Sequence, residues 1–79
     1  MPTIRNIGPY RFFFYSGDRD EPSHVHVERE RYQAKFWLEP NIELAVNQGL
    51  RAVELNELTR IIEERQNEIR DSWQRHFKS

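Results

Sequence analysis

The chain has 79 residues, close to the lower limit for a domain that depends on one hydrophobic core, and only 37% of them are hydrophobic. Its net charge of −1 excludes an overall field that attracts nucleic acid or membranes, so nucleic-acid binding would need a local basic patch. The absence of cysteine excludes disulfides and thiolate metal sites and is typical of a cytoplasmic protein. No leader pattern or membrane-length apolar run is present, so we expect a single cytoplasmic domain over residues 1–79, with no membrane contact. Its small core indicates marginal stability as a monomer, or help from a partner or a second copy.

The N-terminal part of the chain is typical of short strands separated by turns. Residues 3–6 are predicted as a short strand or an extended arm, and aromatic content favours a strand over residues 10–15. A second clear strand is expected over residues 23–29, followed by a two-residue hairpin turn and a strand over residues 32–38. Residues 42–46 alternate weakly, which is compatible with a fourth strand or a helical turn.

From about residue 52 to residue 76 the pattern becomes helical. Apolar residues recur there at spacings of three and four, with a polar gap in the middle. These residues are Leu55, Leu58, Ile62, Ile69 and Trp73. A helix of this length spans roughly 35–40 Å, more than the width of a small sheet, so we expect its end to project or to meet a second chain.

These elements predict an α+β fold in which a three- or four-stranded antiparallel sheet packs on one long C-terminal helix. In the strand over residues 23–29, Val25 and Val27 are expected to face the helix, because alternate residues of a strand point to opposite sides. His24, His26 and Glu28 then share the opposite, uncovered face. By the same alternation, Gln33 and Lys35 of the next strand are expected on that face. The predicted working surface of the protein is therefore this row of two imidazoles and a carboxylate.

One interpretation of the row is a metal site formed by His24, His26 and Glu28. Alternate strand positions are about 6.5–7 Å apart, which suits ligands that converge on one divalent ion. The third ligand is alternatively Asp18 or Asp20 in the preceding loop. The simpler alternative is a strand with exposed polar residues and no metal.

A second interpretation is acid–base chemistry without a metal, in which His24 and His26 act as base and acid on RNA. One imidazole would remove the 2′-hydroxyl proton and the other would protonate the leaving oxygen. Stabilising the phosphate requires a cation, and the candidates are Lys35, Arg11 and Arg31. A third interpretation is contact with phosphate or a partner without catalysis.

Three aromatic residues are expected on the same face, namely Phe13, Tyr15 and Trp37. Rings on a sheet surface stack on bases in RNA-binding modules. Small domains more often hide such rings under a loop or a dimer partner, and we regard this structural role as the stronger interpretation.

The sequence also resembles a family of short bacterial proteins defined as a domain of unknown function. The motifs that carry the resemblance are an opening Met-Pro-Thr-Ile, the segment Pro22-Ser23-His24-Val25-His26-Val27, and Trp73 near the end of the last helix. It covers almost the whole chain. Two positions differ from the usual family pattern: Ser23 is often proline in relatives, and Arg51 stands where a serine helix cap is more usual.

The resemblance implies little about chemistry, and it assigns no catalytic residue. It implies that such proteins are often encoded beside a second small protein, in toxin–antitoxin-like pairs. The leading hypothesis is therefore a toxin–antitoxin component that contacts or cleaves RNA or DNA through the histidine face. The alternative is a non-enzymatic interaction module that docks a cognate protein or a second copy as a homodimer, with or without a divalent metal ion.

Overall fold

The computed structural model describes residues 3–15 and 20–77, which form five strands and two helices. The elements are β1 (Thr3–Ile7), β2 (Tyr10–Phe13), β3 (His24–Arg29), β4 (Tyr32–Trp37), β5 (Glu43–Gln48), α1 (Ala52–Glu64) and α2 (Gln66–Phe77). The predicted α+β class is confirmed. The prediction of three or four strands and one long helix is wrong, because the sheet has five strands and two helices follow it.

The five strands form one antiparallel sheet in the chain order β1-β2-β3-β4-β5. Both segments with an ambiguous sequence pattern pair at the edges of this sheet, β1 with β2 and β5 with β4. Tight turns join β1 to β2 and β3 to β4. Gly8 between β1 and β2 has a φ of 57°, a backbone conformation that glycine adopts without steric cost, and Glu30 at the predicted β3–β4 turn has a φ of 55°.

A β-bulge changes which side chains of β5 face each side of the sheet. Lys35 lies opposite Val46, but the next residue of β4, Phe36, lies opposite Leu44, so β5 uses two residues where β4 uses one. Directly opposed residues of an antiparallel pair share a face. Val46 therefore lies on the same face as Lys35, and Leu44 lies on the opposite face with Phe36.

One face of the sheet packs on the helices and forms the hydrophobic core. Val25 and Val27 are fully buried on this face, as predicted, and so are Leu58 and Ile62 of α1. The other core residues are Tyr10, Phe12, Phe14, Ala34, Phe36, Leu38, Leu50 and Ile69. Leu55 packs against this cluster from its margin. The sequence pattern therefore assigned the buried face of the central strands correctly.

The helical region is divided at Arg65, where the backbone leaves helical geometry with φ −114° and ψ 19°. This position falls in the polar gap between Ile62 and Ile69, where no apolar side chain holds a straight helix against the sheet. Beyond it, Trp73 lies 5.2 Å from the Phe14 ring, between centroids. The last helix, α2, therefore closes one end of the sheet instead of projecting. Within residues 3–15 and 20–77, no helix is long and apolar enough to cross a membrane.

A polar layer joins the start of α1 to the sheet. The Arg51 backbone N–H donates to Glu54 Oε1 at 2.9 Å, so Glu54 supplies a cap that the Arg51 side chain, which has no acceptor, does not. Glu54 also accepts from Arg29 of β3. The backbone hydrogen bond, followed by the Arg29 contact, holds the pKa of Glu54 below its usual value. This carboxylate therefore links the helix start to the central strands.

Tyr10 belongs to the same layer. Its hydroxyl donates to Glu57 Oε1 at 2.8 Å, and its ring is buried in the core. Burial disfavours the phenolate, the Glu57 carboxylate disfavours it further, and together they raise the pKa of Tyr10 to about 12.

Candidate functional site

The face of the sheet opposite the helices, here called the open face, carries three cross-strand rows of side chains. The first row is Arg11, Glu28, Gln33 and Gln48; the second is Phe13, His26, Lys35 and Val46; the third is His24, Trp37 and Glu43. These rows follow from the strand register, since opposed residues share a face. His24, His26 and Glu28 are thus on the face opposite Val25 and Val27, as the alternation predicted.

His24, however, is buried rather than exposed. It is 0% exposed, and its ring lies 5.0 Å from Trp73 of α2 and 5.4 Å from Trp37, between centroids. Its Nδ1 donates to the carbonyl oxygen of Pro22 at 2.9 Å, which places a proton on that nitrogen. The expectation of an outward imidazole is wrong at this position, because His24 begins β3 at the end of the sheet that α2 closes.

His26, two residues further along β3, is half-buried and lies within a group of rings. It stacks on Phe13 with centroids 5.4 Å apart, and its edge meets Tyr15 at 4.6 Å. The His24 and His26 rings are 5.0 Å apart in an edge-to-face arrangement. The structure thus brings the two predicted imidazoles together, but it leaves His26 as the more accessible of the two.

Two of the three predicted phosphate-binding cations, Arg11 and Lys35, each contact a carboxylate and a ring. Arg11 Nε donates to Glu28 Oε1 at 2.9 Å, and its Cζ lies 4.3 Å from the Phe13 ring centroid. Lys35 Nζ donates to Glu21 Oε1 at 2.6 Å. The Lys35 ammonium also lies 4.4 Å from the Trp37 ring centroid. These ion pairs balance the charge of the open face, so it is not a basic patch.

The predicted metal ligands do not form a coordination group. Glu28 accepts a hydrogen bond from Arg11, and His24 Nδ1 donates one to the Pro22 carbonyl oxygen. Within residues 3–15 and 20–77, no group of three His, Cys, Asp or Glu side chains is placed to hold a metal ion. Of the two alternative third ligands, Asp20 is exposed and Asp18 lies outside the described residues.

A cavity of about 300 Å³ opens on this face beside His26. Its lining residues are Tyr15, His26, Gln33, Ala34, Lys35, Val46 and Gln48. Sequence alternation indicated His26, Gln33 and Lys35, but it assigned Ala34 to the helix-covered face and did not indicate Val46 and Gln48. Only the pairing of β5 with β4, together with the bulge, brings these two side chains to the cavity.

A family model for a domain of unknown function, DUF4160, matches residues 10–74, which is most of the chain. The chain belongs to the DUF4160 family. This confirms the resemblance to a family of unknown function. The DUF4160 match runs from β2 into α2 and includes His24, His26 and Trp73, whereas β1 precedes it. Comparison with curated proteins and with solved structures finds no match.

Proposed function

We propose that this DUF4160 protein is a non-enzymatic interaction module that binds a small cognate protein by strand addition to the outer edge of β5. The observation that carries the proposal is the exposure of Leu44 at 44% and Val46 at 46% on an edge strand. Among the described strands, β5 pairs with β4 alone. The bulge directs the two apolar side chains to opposite faces, so an added strand meets one of them on each side.

The composition of β5 favours this use. Edge strands of monomeric proteins usually carry lysine or proline, which prevent pairing with another chain. Residues 44–48 contain neither, and no charged side chain. The opposite edge differs, because Arg5 of β1 donates to Glu68 of α2 at 2.9 Å, which ties that strand to the helix layer. The β5 edge is therefore the better acceptor for another strand.

Strand addition joins chains through main-chain hydrogen bonds, while side-chain contacts supply specificity. The family resemblance implies gene pairs of the toxin–antitoxin kind. The second small protein of such a pair is therefore a reasonable occupant of this edge. A second copy of this chain is the other occupant that the same edge accepts.

The test is the complex with the product of the adjacent gene, followed by light scattering and titration calorimetry on Val46→Lys and Leu44→Lys. Each lysine places a charge where the added strand must pack, so we expect affinity to fall at least about tenfold. The matched control is Val53→Lys, because Val53 is 65% exposed and belongs to α1 rather than to β5. Unchanged binding by both β5 variants would refute the proposal, and a homodimer sensitive to Val46→Lys would identify the second copy as the occupant.

A second candidate is contact with single-stranded RNA through the open face, which the cavity beside His26 favours. The burial of His24 argues against strand cleavage by two imidazoles, since an acid or base must reach the reacting atoms. The assay is RNA binding and RNA cleavage by the wild type, His24→Ala, His26→Ala, Lys35→Ala and Arg11→Ala. We expect weaker RNA binding by the His26 and Lys35 variants, and no RNA cleavage by any of the proteins. Cleavage by the wild type that is lost in both His24→Ala and His26→Ala would restore the catalytic hypothesis.

A further inference from the structure

We propose that the cavity on the open face binds one pyrimidine nucleotide whose base presents two carbonyl groups, as uracil does. This inference rests on the second candidate function, and it shares Val46 with the strand addition proposed at β5. At about 300 Å³ the cavity is at the small end of ligand sites, which run from about 300 to 1,000 Å³. It therefore suits one nucleotide rather than a stack of several.

Two carboxamides form one wall of the cavity. Gln33 and Gln48 are directly opposed in the pairing of β4 with β5, so their side chains lie next to each other on the open face. The Tyr15 hydroxyl donates to Gln33 Oε1 at 3.4 Å, which directs the Gln33 amide N–H groups away from Tyr15. Gln33 then serves as a donor to one carbonyl, while Gln48 donates to the other and accepts the ring N–H.

The next row supplies surfaces for the faces of the base. Val46 is an apolar contact on one side, and the Tyr15 and His26 rings lie on the other. His26 is held by its stack on Phe13, so this wall is preorganised. A flat ring that enters between them gains apolar and aromatic contact without selecting a particular base, and the selection comes from the carboxamides.

Lys35 lies in the row after Gln33, and its ammonium is 4.4 Å from the Trp37 ring centroid, on the side away from the carboxamides. Its ammonium contacts Glu21, whose side chain is 47% exposed, so water screens this ion pair and a phosphate competes with it. Glu28 lies beside Gln33, but its carboxylate is paired with the Arg11 guanidinium. The charge pattern therefore places the base at the carboxamides and the phosphate at Lys35.

The first measurement is an NMR titration of the full chain with uridine 5′-monophosphate, with adenosine 5′-monophosphate as the comparison. We expect chemical-shift changes at the Gln33 and Gln48 side-chain amides and at the Val46 methyl groups. Adenosine monophosphate should bind about fivefold more weakly than uridine monophosphate. Gln48→Leu should weaken the binding of uridine monophosphate about fivefold, because a hydrogen bond to the base is lost. Gln48 is exposed, so the fold should tolerate this change. The matched control is Gln74→Leu, an exposed glutamine of α2, which should bind as the wild type does.

The second measurement locates the phosphate. Glu21→Gln removes the carboxylate that competes with a phosphate for Lys35. We therefore expect this variant to bind uridine monophosphate about threefold more tightly and to bind uridine with unchanged affinity. Oligouridylate distinguishes the source of the ligand: tighter binding than the monophosphate, with the same shifts, indicates RNA, and equal binding indicates a free nucleotide. The proposal is refuted if Gln33 and Gln48 do not respond to either ligand, or if Gln48→Leu binds as the wild type does. RNA binding that leaves both glutamines unaffected would refute this site while the second candidate function stands.

Discussion

On the helix-covered face of the sheet, Phe36 is buried by the layer that contains Leu58 and Ile62, whereas on the open face Phe13 is equally buried without a helix above it. The Arg11 guanidinium and the rings of Tyr15 and His26 lie against Phe13. A domain with few aliphatic residues thus covers its second face with cations and aromatic rings. The cations Arg11 and Lys35 are in turn paired with the carboxylates of Glu28 and Glu21.

His24 and His26 lie at the boundary between these two kinds of burial. They are alternate residues of β3 on one face, yet Trp73 covers the first and the second borders a cavity. The chemistry of a side chain in this sheet therefore depends on its distance from the end that α2 closes. The following predictions change residues on each side of this boundary.

The largest effect is expected at neighbouring positions of β4. Phe36→Ala removes a fully buried ring from the helix-covered face and should lower the free energy of unfolding by about 4 kcal/mol. Trp37→Ala changes a half-buried ring on the open face and should cost about 1–2 kcal/mol. Urea unfolding followed by circular dichroism measures both. Equal losses would mean that the two faces contribute alike.

Trp73→Ala should uncover His24 and lower the free energy of unfolding by about 3 kcal/mol, because this half-buried ring contacts both Phe14 and His24. We expect faster modification of His24 by diethyl pyrocarbonate, with little change at His26, measured by peptide mass spectrometry. Gln74→Ala on the exposed side of α2 is the control. A His24 that stays protected in Trp73→Ala would show that α2 is not what buries it.

Tyr10 should make the helix-covered face sensitive to high pH. Its pKa is raised to about 12 in the folded protein, so the unfolded chain loses this proton first as the pH rises. The stability from the neutral phenol is complete below about pH 10 and is lost as the pH approaches 12. Relative to pH 9, we expect the wild type to lose about 1 kcal/mol more than Tyr10→Phe at pH 11. Parallel pH profiles of the two proteins would contradict this.

The smallest effect is expected from the ion pair on the open face. Glu21→Gln should change the free energy of unfolding by about 0.5 kcal/mol or less, because exposed ion pairs contribute little. The difference from the wild type should shrink further at about 1 M salt. A loss above about 2 kcal/mol would mean that Glu21 and Lys35 help hold the fold together, and Lys35 would then be a poor candidate for exchange with a phosphate.

The chain order of the central elements and the inward direction of Val25 and Val27 were predictable, because strand alternation is a local property of the sequence. The same alternation assigned His26, Gln33 and Lys35 to one face. The polar gap after Ile62 coincides with the break at Arg65. The spacing of apolar residues alone, however, did not show that the helix ends there. The bulge in β5 has no clear local signature, so the contribution of Val46 to the cavity was missed.

By itself, the sequence determined which residues of β3 and β4 face the core, since each strand residue points to the side opposite its neighbours. It also matches the DUF4160 family model over residues 10–74. Only the tertiary structure decided that His24 is covered and that Val46 and Gln48 complete a cavity with His26. Both outcomes depend on contacts between residues far apart in the chain, from Trp73 to β3 and from β5 to β4, and no local pattern encodes such contacts.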